Sequence, residues 1–243
     1  MAGELLASQN HQVVLHARNA ERAEDARRAL PKAEAVLVGD VETIAGAKDV
    51  ASQANALGRF DAVIHNAAVG YREGHRVTSD GLPHVFAINT LSAYILTALV
   101  ERPKRLVYLS SGMHHDANAN LDDILWKKRR WDGSVAYAES KLHDVMLAFA
   151  IARRWPDVFS NSLEPGWVPT KMGGASAPGD MKKRIQRRHG LLTPYRKGGR
   201  SEVNTKPPAR LHSKVLPSTR QRRTARDGNM ADVRVTCTNG VHR

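Results

Sequence analysis

The feature that most constrains this chain is the alternation of short apolar runs with longer helical patterns. Apolar runs occur at residues 11–16, 35–38, 61–64, 105–109 and 159–163, and helical patterns at 21–30, 41–56, 79–101 and 135–154 separate them. Helical connections of that length join parallel strands of one sheet. The sequence therefore predicts an α/β fold in which a doubly wound parallel sheet carries helices on both faces.

Polar side chains follow the predicted strands at their carboxyl ends. Arg18, Asp40, Asn66 and Ser111 follow four of the strands, and Pro165-Gly166 follows the fifth. Ligands of open parallel sheets bind beyond this edge. We therefore expect a ligand site at the carboxyl edge of the sheet.

A tyrosine and a lysine lie four residues apart in the sequence Tyr137-Ala-Glu-Ser-Lys141. On a helix this spacing places both side chains on one face. A phenol has an unperturbed pKa of about 10, and a nearby ammonium favours its ionised form, so such a pair can exchange a proton near neutral pH. The spacing alone also fits an ordinary pair on a helix surface, and that alternative stays open.

The positive charge of the chain is confined to its last part. Residues 1–175 carry 20 basic and 20 acidic side chains, whereas residues 176–243 carry 17 basic and 4 acidic ones. The second segment is also rich in Pro, Gly and Ser and poor in apolar residues, a composition typical of disorder. We therefore predict a folded domain at 1–175 and a disordered basic tail at 176–243. Association of this tail with nucleic acid is a disfavoured alternative, because the segment contains no recognised binding module.

The sequence gives little support for a membrane protein, a secreted protein or a metal-binding protein. The longest apolar run, at 91–100, is about half of a bilayer span, and the N-terminus lacks a secretory pattern. Cys237 is the only cysteine, which fits a reducing, cytoplasmic setting. His114-His115 and the acidic residues after them match no standard ligand spacing, so no metal site is predicted.

Several motifs in a fixed order give a resemblance to a known family. They are HNAA at 65–68, Asn89, SS at 110–111, YAESK at 137–141 and PGWVPT at 165–170. In these motifs the sequence resembles the short-chain dehydrogenase/reductase family, and in its long 111–137 spacing the retinol-dehydrogenase-like branch. The resemblance implies a Rossmann-type fold and an NAD(P)-dependent oxidoreductase that interconverts an alcohol and a carbonyl by hydride transfer. The implied partner is a small-molecule alcohol, ketone or aldehyde; the sequence leaves its identity and any oligomeric state open.

The same resemblance implies a role for each catalytic position. Tyr137 would be the acid/base, and Lys141 would lower the pKa of the tyrosine and bind the nicotinamide ribose. Ser111 would bind the substrate oxygen, and Asn89 would organise a water that links Lys141 to solvent.

The resemblance also implies a cofactor site along the strand ends. Arg18 stands where the family selects its cofactor, and a guanidinium there favours NADP over NAD. Asp40 would lie near the adenine ring. The residues implied to line the adenosine side of the cofactor are Asn66, Ala67 and Ala68. Those implied to contact its nicotinamide end are Pro165, Gly166, Val168 and Thr170.

The sequence departs from the family at both ends. It lacks the opening strand and the Gly-rich turn that would hold the pyrophosphate, a segment of about 20 residues. The sheet is therefore expected to be incomplete, with its first strand missing, and the strands at 11–16 and 61–65 are expected to have unpaired edges. Two alternatives follow: a catalytically inactive dehydrogenase-like binding protein, or a gene product with an incorrect start and an incorrect end.

Overall fold

The computed structural model describes residues 2–167, 174, 177 and 234–238, and all statements below concern these residues. The strands are β1 Gln12–Ala17, β2 Ala35–Val38, β3 Ala62–His65, β4 Arg105–Leu109, β5 Phe159–Leu163 and β6 Arg234–Thr238. The helices are α1 Ala2–Ser8, α2 Ala20–Ala29, α3 Ile44–Ala56, α4 His84–Phe86, α5 Ser92–Leu99 and α6 Gly133–Arg154. A π-helical segment Ala87–Leu91 joins α4 to α5, and a 3₁₀ turn Gly112–Asp116 follows β4.

The strands form one parallel sheet with the order β2-β1-β6-β3-β4-β5. Each of the five predicted strands is present with its ends within one residue of the expected position. The predicted Rossmann-type doubly wound sheet is therefore confirmed.

Alternating side chains of the central strands supply two separate cores. On β1, Val13 and Leu15 pack with Leu6 of α1 and with the end of α2. Val14, between them, faces the opposite side and packs with residues of α3, α5 and α6. A strand buried on both faces has this arrangement because successive side chains point to opposite sides.

The helix that follows β3 differs from its prediction. The sequence predicts one long helix within 79–101, but its middle turn is a π-helical segment that contains Asn89. Leu99, the last residue of α5, is 45% exposed. Farther along the chain, residues 122–125 form a turn, and the 3₁₀ turn lies earlier, at Gly112–Asp116. π-Helical turns inside α-helices are frequent at functional sites.

The expectation of two unpaired strand edges is wrong. Strand β6 lies between β1 and β3 and pairs in parallel with both, with Thr236 opposite Val14 on one side and Val63 on the other. The prediction of a tail without regular structure is therefore wrong at Arg234–Thr238. The physical reason is that backbone N–H and C=O groups in the middle of a sheet require partners.

The outcome of the remaining predictions depends on which residues the structure describes. Val168, Thr170 and most of the predicted tail lie outside those residues. Within the described part of the chain, no helix has the length and apolar character needed to cross a membrane. The same residues contain no cluster of three His, Cys, Asp or Glu side chains suited to a metal ion.

A proline in β6 tests whether this strand completes the sheet in solution. Thr236→Pro removes a backbone donor at the central residue of a doubly paired strand. We expect the free energy of unfolding to fall by about 3 kcal/mol in urea unfolding. Thr236→Val is the matched control because it keeps the donor and the β-branched shape. Equal stability of the two variants would contradict the placement of β6.

Candidate active site

The parallel register brings the predicted polar residues to one edge of the sheet. Ala17 lies opposite Val38, His65 opposite Tyr108, and Leu109 opposite Leu163. The residues that follow these strand ends therefore share the carboxyl edge: Arg18, Asp40, Asn66, Ser111 and Pro165. This is the edge at which ligands of doubly wound sheets bind.

Helix α6 is fixed to this edge by two polar contacts with the end of β4. Ser110 Oγ donates to the backbone oxygen of Lys141 at 2.8 Å. Lys141 Nζ donates to the backbone oxygen of Leu109 at 2.8 Å. At the start of the helix, Asp132 Oδ1 accepts from two backbone N–H groups, which caps it. The α6 residues that carry the predicted chemistry are consequently held against the strand ends.

Tyr137 and Lys141 lie close together, as their spacing predicts. Lys141 Nζ is 5.8 Å from the centroid of the Tyr137 ring. Tyr137 is only 7% exposed, and the ring of Tyr71 approaches it edge-on at 6.2 Å. The phenol is thus surrounded by protein on most sides, with an ammonium nearby.

Asp144 is a partner of Lys141 that the sequence analysis does not identify. Its Oδ2 accepts from Lys141 Nζ at 2.9 Å, and the two residues are 2% and 3% exposed. Burial raises the pKa of Asp144 to about 6, while the charge of Lys141 and its hydrogen bond act in the opposite direction. The side chain of Lys141 therefore points to Asp144 and to the end of β4.

Asn89 connects the chain after β3 to α6. Its Oδ1 accepts from the Val69 backbone N–H at 2.8 Å, and its Nδ2 donates to the Val69 oxygen at 3.1 Å. The same Nδ2 contacts Ser140 Oγ at 2.9 Å. These contacts hold Val69, which directly follows the Asn66-Ala67-Ala68 segment, beside α6. The implied role of Asn89 in organising a water stays a prediction.

The two serines after β4 differ in their surroundings. Ser110 is buried and bonds α6, whereas Ser111 is half-buried and begins the 3₁₀ turn with an extended backbone. Ser111 Oγ accepts from the Met113 N–H at 3.4 Å. His114 is buried in this turn, and its Nδ1 lies 2.6 Å from the Ser111 backbone oxygen. Of the pair, Ser111 is therefore the one whose hydroxyl remains at the edge of the site.

The implied cofactor residues lie in order along the edge. Arg18 is half-buried directly after β1, and Asp40 is exposed after β2, with its Oδ1 accepting from the Glu42 N–H at 3.1 Å. Gly166 has φ of 66°, a left-handed conformation that glycine adopts readily and that turns the chain after β5. Three further residues of the implied set, Asn66, Ala67 and Ala68, are half-buried after β3.

The loop before α6 is fastened to the helix by an ion pair between the exposed Arg129 and the buried Glu139. Arg129 donates to both carboxylate oxygens of Glu139 at 2.6 Å, and its guanidinium lies 3.7 Å from the Trp126 ring centroid. Trp126 is buried against Val69 and neighbouring apolar residues, and Trp131 packs at the margin of that cluster. No local pattern in the sequence indicates this ion pair, because its two members lie ten residues apart in a loop and a helix.

Removing one member of this pair tests its contribution. Arg129→Leu leaves the Glu139 carboxylate, whose side chain is 6% exposed, without its partner. We expect a loss of about 3 kcal/mol in the free energy of unfolding. The double variant Arg129→Leu/Glu139→Leu is expected to regain part of that loss, because an apolar pair avoids the uncompensated charge. Equal stability of wild type and Arg129→Leu would show that the pair contributes nothing.

A doubly wound parallel sheet with polar residues at its carboxyl edge defines a protein of the Rossmann-type fold class. A family model described as enoyl-(acyl carrier protein) reductase matches residues 2–203. An uncharacterized oxidoreductase from Emericella nidulans is 49% identical over 186 residues, which cover 75% of this chain and 70% of the relative. A short-chain dehydrogenase from Gibberella zeae is 43% identical, covering 76% and 72% of the two chains. The chain belongs to the short-chain dehydrogenase/reductase family.

Two more comparisons bear on the branch and the fold. Retinol dehydrogenase 13 from Homo sapiens is 34% identical over 123 residues, 47% of this chain and 37% of the relative, in agreement with the branch suggested by the motifs. The solved structure of a short-chain dehydrogenase from Burkholderia cenocepacia in complex with NADP has a TM-score of 0.61 at 18% identity, covering 79% of this chain and 84% of that one. The latter similarity is one of fold.

Proposed function

We propose that this protein interconverts an alcohol and a carbonyl of a small-molecule substrate with NADP, and that Tyr137 is the acid/base. The observation that supports this most is the position of the Tyr137–Lys141 pair on a helix fixed to the carboxyl edge of the sheet. Membership of an oxidoreductase family agrees with it. A cytoplasmic setting belongs to the same proposal.

Each residue has a defined task in this mechanism. NADP, when bound, supplies the hydride chemistry. The Tyr137 hydroxyl gives a proton to the carbonyl oxygen in reduction and takes one from the alcohol in oxidation. The Lys141 ammonium favours the ionised phenol, and the Ser111 hydroxyl donates to the substrate oxygen as negative charge develops there.

The side chains along the edge fit most of a dinucleotide. Arg18 offers a guanidinium, which suits a ribose 2′-phosphate, and Lys141 offers an ammonium near the nicotinamide end. The solved relative from Burkholderia cenocepacia is a complex with NADP, which supports the same cofactor here. A Gly-rich turn for the pyrophosphate does not occur among the described residues.

One observation favours a second candidate, a catalytically inactive dehydrogenase-like binding protein. Within the described structure, Lys141 Nζ bonds Asp144 and the Leu109 oxygen. An ammonium held by two protein acceptors is also the arrangement expected of a family member that has lost turnover. The two candidates are separated by measuring cofactor binding and turnover on the same preparation.

Replacement of Tyr137 tests the proposed reaction. In a screen of aldehydes, ketones and secondary alcohols, we expect Tyr137→Phe to lower kcat by about 10² to 10⁴-fold, because general acid–base catalysis contributes about this much. NADPH binding, followed by its fluorescence, should be retained. Tyr94→Phe makes the same change on a tyrosine that is 55% exposed and should have no effect. Turnover by Tyr137→Phe at the wild-type rate would refute the proposal.

Replacement of Arg18 tests the cofactor choice. We expect Arg18→Glu to weaken NADPH binding by about 10 to 100-fold while NADH binding changes little, because a charge-assisted contact to the 2′-phosphate is lost. Arg27→Glu is the control: Arg27 lies on α2 and is exposed beside Glu24. An equal loss for NADPH and NADH would contradict a role of Arg18 in selecting the phosphate.

A further inference from the structure

A buried carboxylate that the mechanism above does not use holds the ammonium of Lys141. Asp144 Oδ2 lies 2.9 Å from Lys141 Nζ, and the Leu109 oxygen lies 2.8 Å from the same nitrogen. A lysine ammonium has three N–H donors. Two of these N–H groups therefore point to acceptors on α6 and β4. Because the ammonium is tetrahedral, these two bonds also determine where its third N–H group points.

We propose that Asp144 is a positioning residue that anchors the ammonium of Lys141 and offsets part of the charge that Lys141 presents to Tyr137. The inference rests on the proposed roles of Tyr137 and Lys141. Neither the spacing of the motif nor the resemblance to the family assigns any task to Asp144. It acts on the reaction through the ammonium of Lys141 and through the field of its own charge at Tyr137.

The helix geometry determines how strongly Asp144 acts on Tyr137. Residues 137, 141 and 144 share one face of α6, with the lysine between the other two. Seven residues of α-helix span about 10 Å, so the carboxylate is within electrostatic range of the phenol. At an effective dielectric constant of about 20, one charge at that distance changes a proton equilibrium by about one pH unit.

Within the described structure, Asp144 is the carboxylate that forms an ion pair with Lys141. Asp144 lines a small cavity with His65 of β3, and burial lowers the pKa of His65 to about 4, so its ring is neutral at pH 7. Burial also raises the pKa of Tyr108 of β4, and the charge of Asp144 adds to that effect.

Among charged groups on α6, Glu139 bonds Arg129. The remaining titratable groups around the site are His143 of α6, His114 of the 3₁₀ turn, Tyr71 and Arg72 after β3, and Glu164 after β5.

The test is the pH profile of alcohol oxidation by the full-length Asp144→Asn variant. Asparagine keeps the shape and an acceptor oxygen but removes the charge. An ammonium that is no longer offset favours the ionised phenol. We therefore expect the rising limb of the profile to move to lower pH by about one unit. A purely structural role would change thermal stability without moving this limb.

His143→Gln is the matched control for that experiment. His143 precedes Asp144 on the buried part of α6, but its Nδ1 faces Thr90 Oγ1 at 3.2 Å. We expect its profile to coincide with that of wild type. An unchanged profile for Asp144→Asn, or a shift to higher pH, would overturn the proposal.

A second measurement uses the protein without cofactor or substrate. The infrared carbonyl band of a protonated Asp144 should appear as the pH falls through about 6 and should be absent in Asp144→Asn. In Lys141→Met the band should appear at higher pH, because the charge of Lys141 opposes protonation. A band at the same pH in both proteins would refute the coupling. The infrared result does not depend on turnover. Unaltered turnover in Tyr137→Phe would refute the proposed function and would leave the coupling of Asp144 to Lys141 to be judged by the infrared titration.

Discussion

The attachment of α6 to the end of β4 is the interaction on which the rest of the site depends. One residue, Lys141, takes part in it twice, because its backbone oxygen accepts from Ser110 and its ammonium donates to the Leu109 oxygen. Lys141 is 3% exposed, and an isolated buried charge would be too costly to retain. Asp144 offsets that cost from the same helix. The helix can therefore press its Tyr–Lys face against the strand ends without leaving an unpaired cation.

The segment after β3 is held by a different kind of contact. Asn89 uses its amide to bond both backbone groups of Val69 and the hydroxyl of Ser140. Asn89 lies in the π-helical segment, where the wider turn alters the direction of its side chain relative to a regular helix. The π-helical segment thus supplies the side chain that joins the segment after β3 to α6. The two attachments together hold three separate stretches of the chain at one edge of the sheet.

The strands and the Tyr137–Lys141 pair could be predicted because their signals are local. Buried parallel strands appear as short apolar runs, and the carboxyl-edge rule then places Arg18, Asn66 and Ser111. Asp144 could not be predicted in the same way. A charged residue three positions after a lysine on a helix usually indicates an exposed ion pair. In α6 every residue from 136 to 145 is buried, so periodicity does not reveal which face is covered.

Strand β6 could not be predicted for a different reason. Its local sequence gives only a weak indication of a strand, whereas its place in the sheet is determined by distant strands that need hydrogen-bond partners. Its sequence, RVTCT, alternates polar and apolar residues and lies in a basic segment, so it does not resemble a central strand buried on both faces. The space between β1 and β3 nevertheless exposes two rows of backbone groups, and filling it satisfies both at once. The parallel direction has a further consequence, because Thr238 lies opposite His16. The carboxyl end of β6 is thereby beside the strand end that precedes Arg18, so the pairing that completes the sheet also brings the end of β6 to the carboxyl edge.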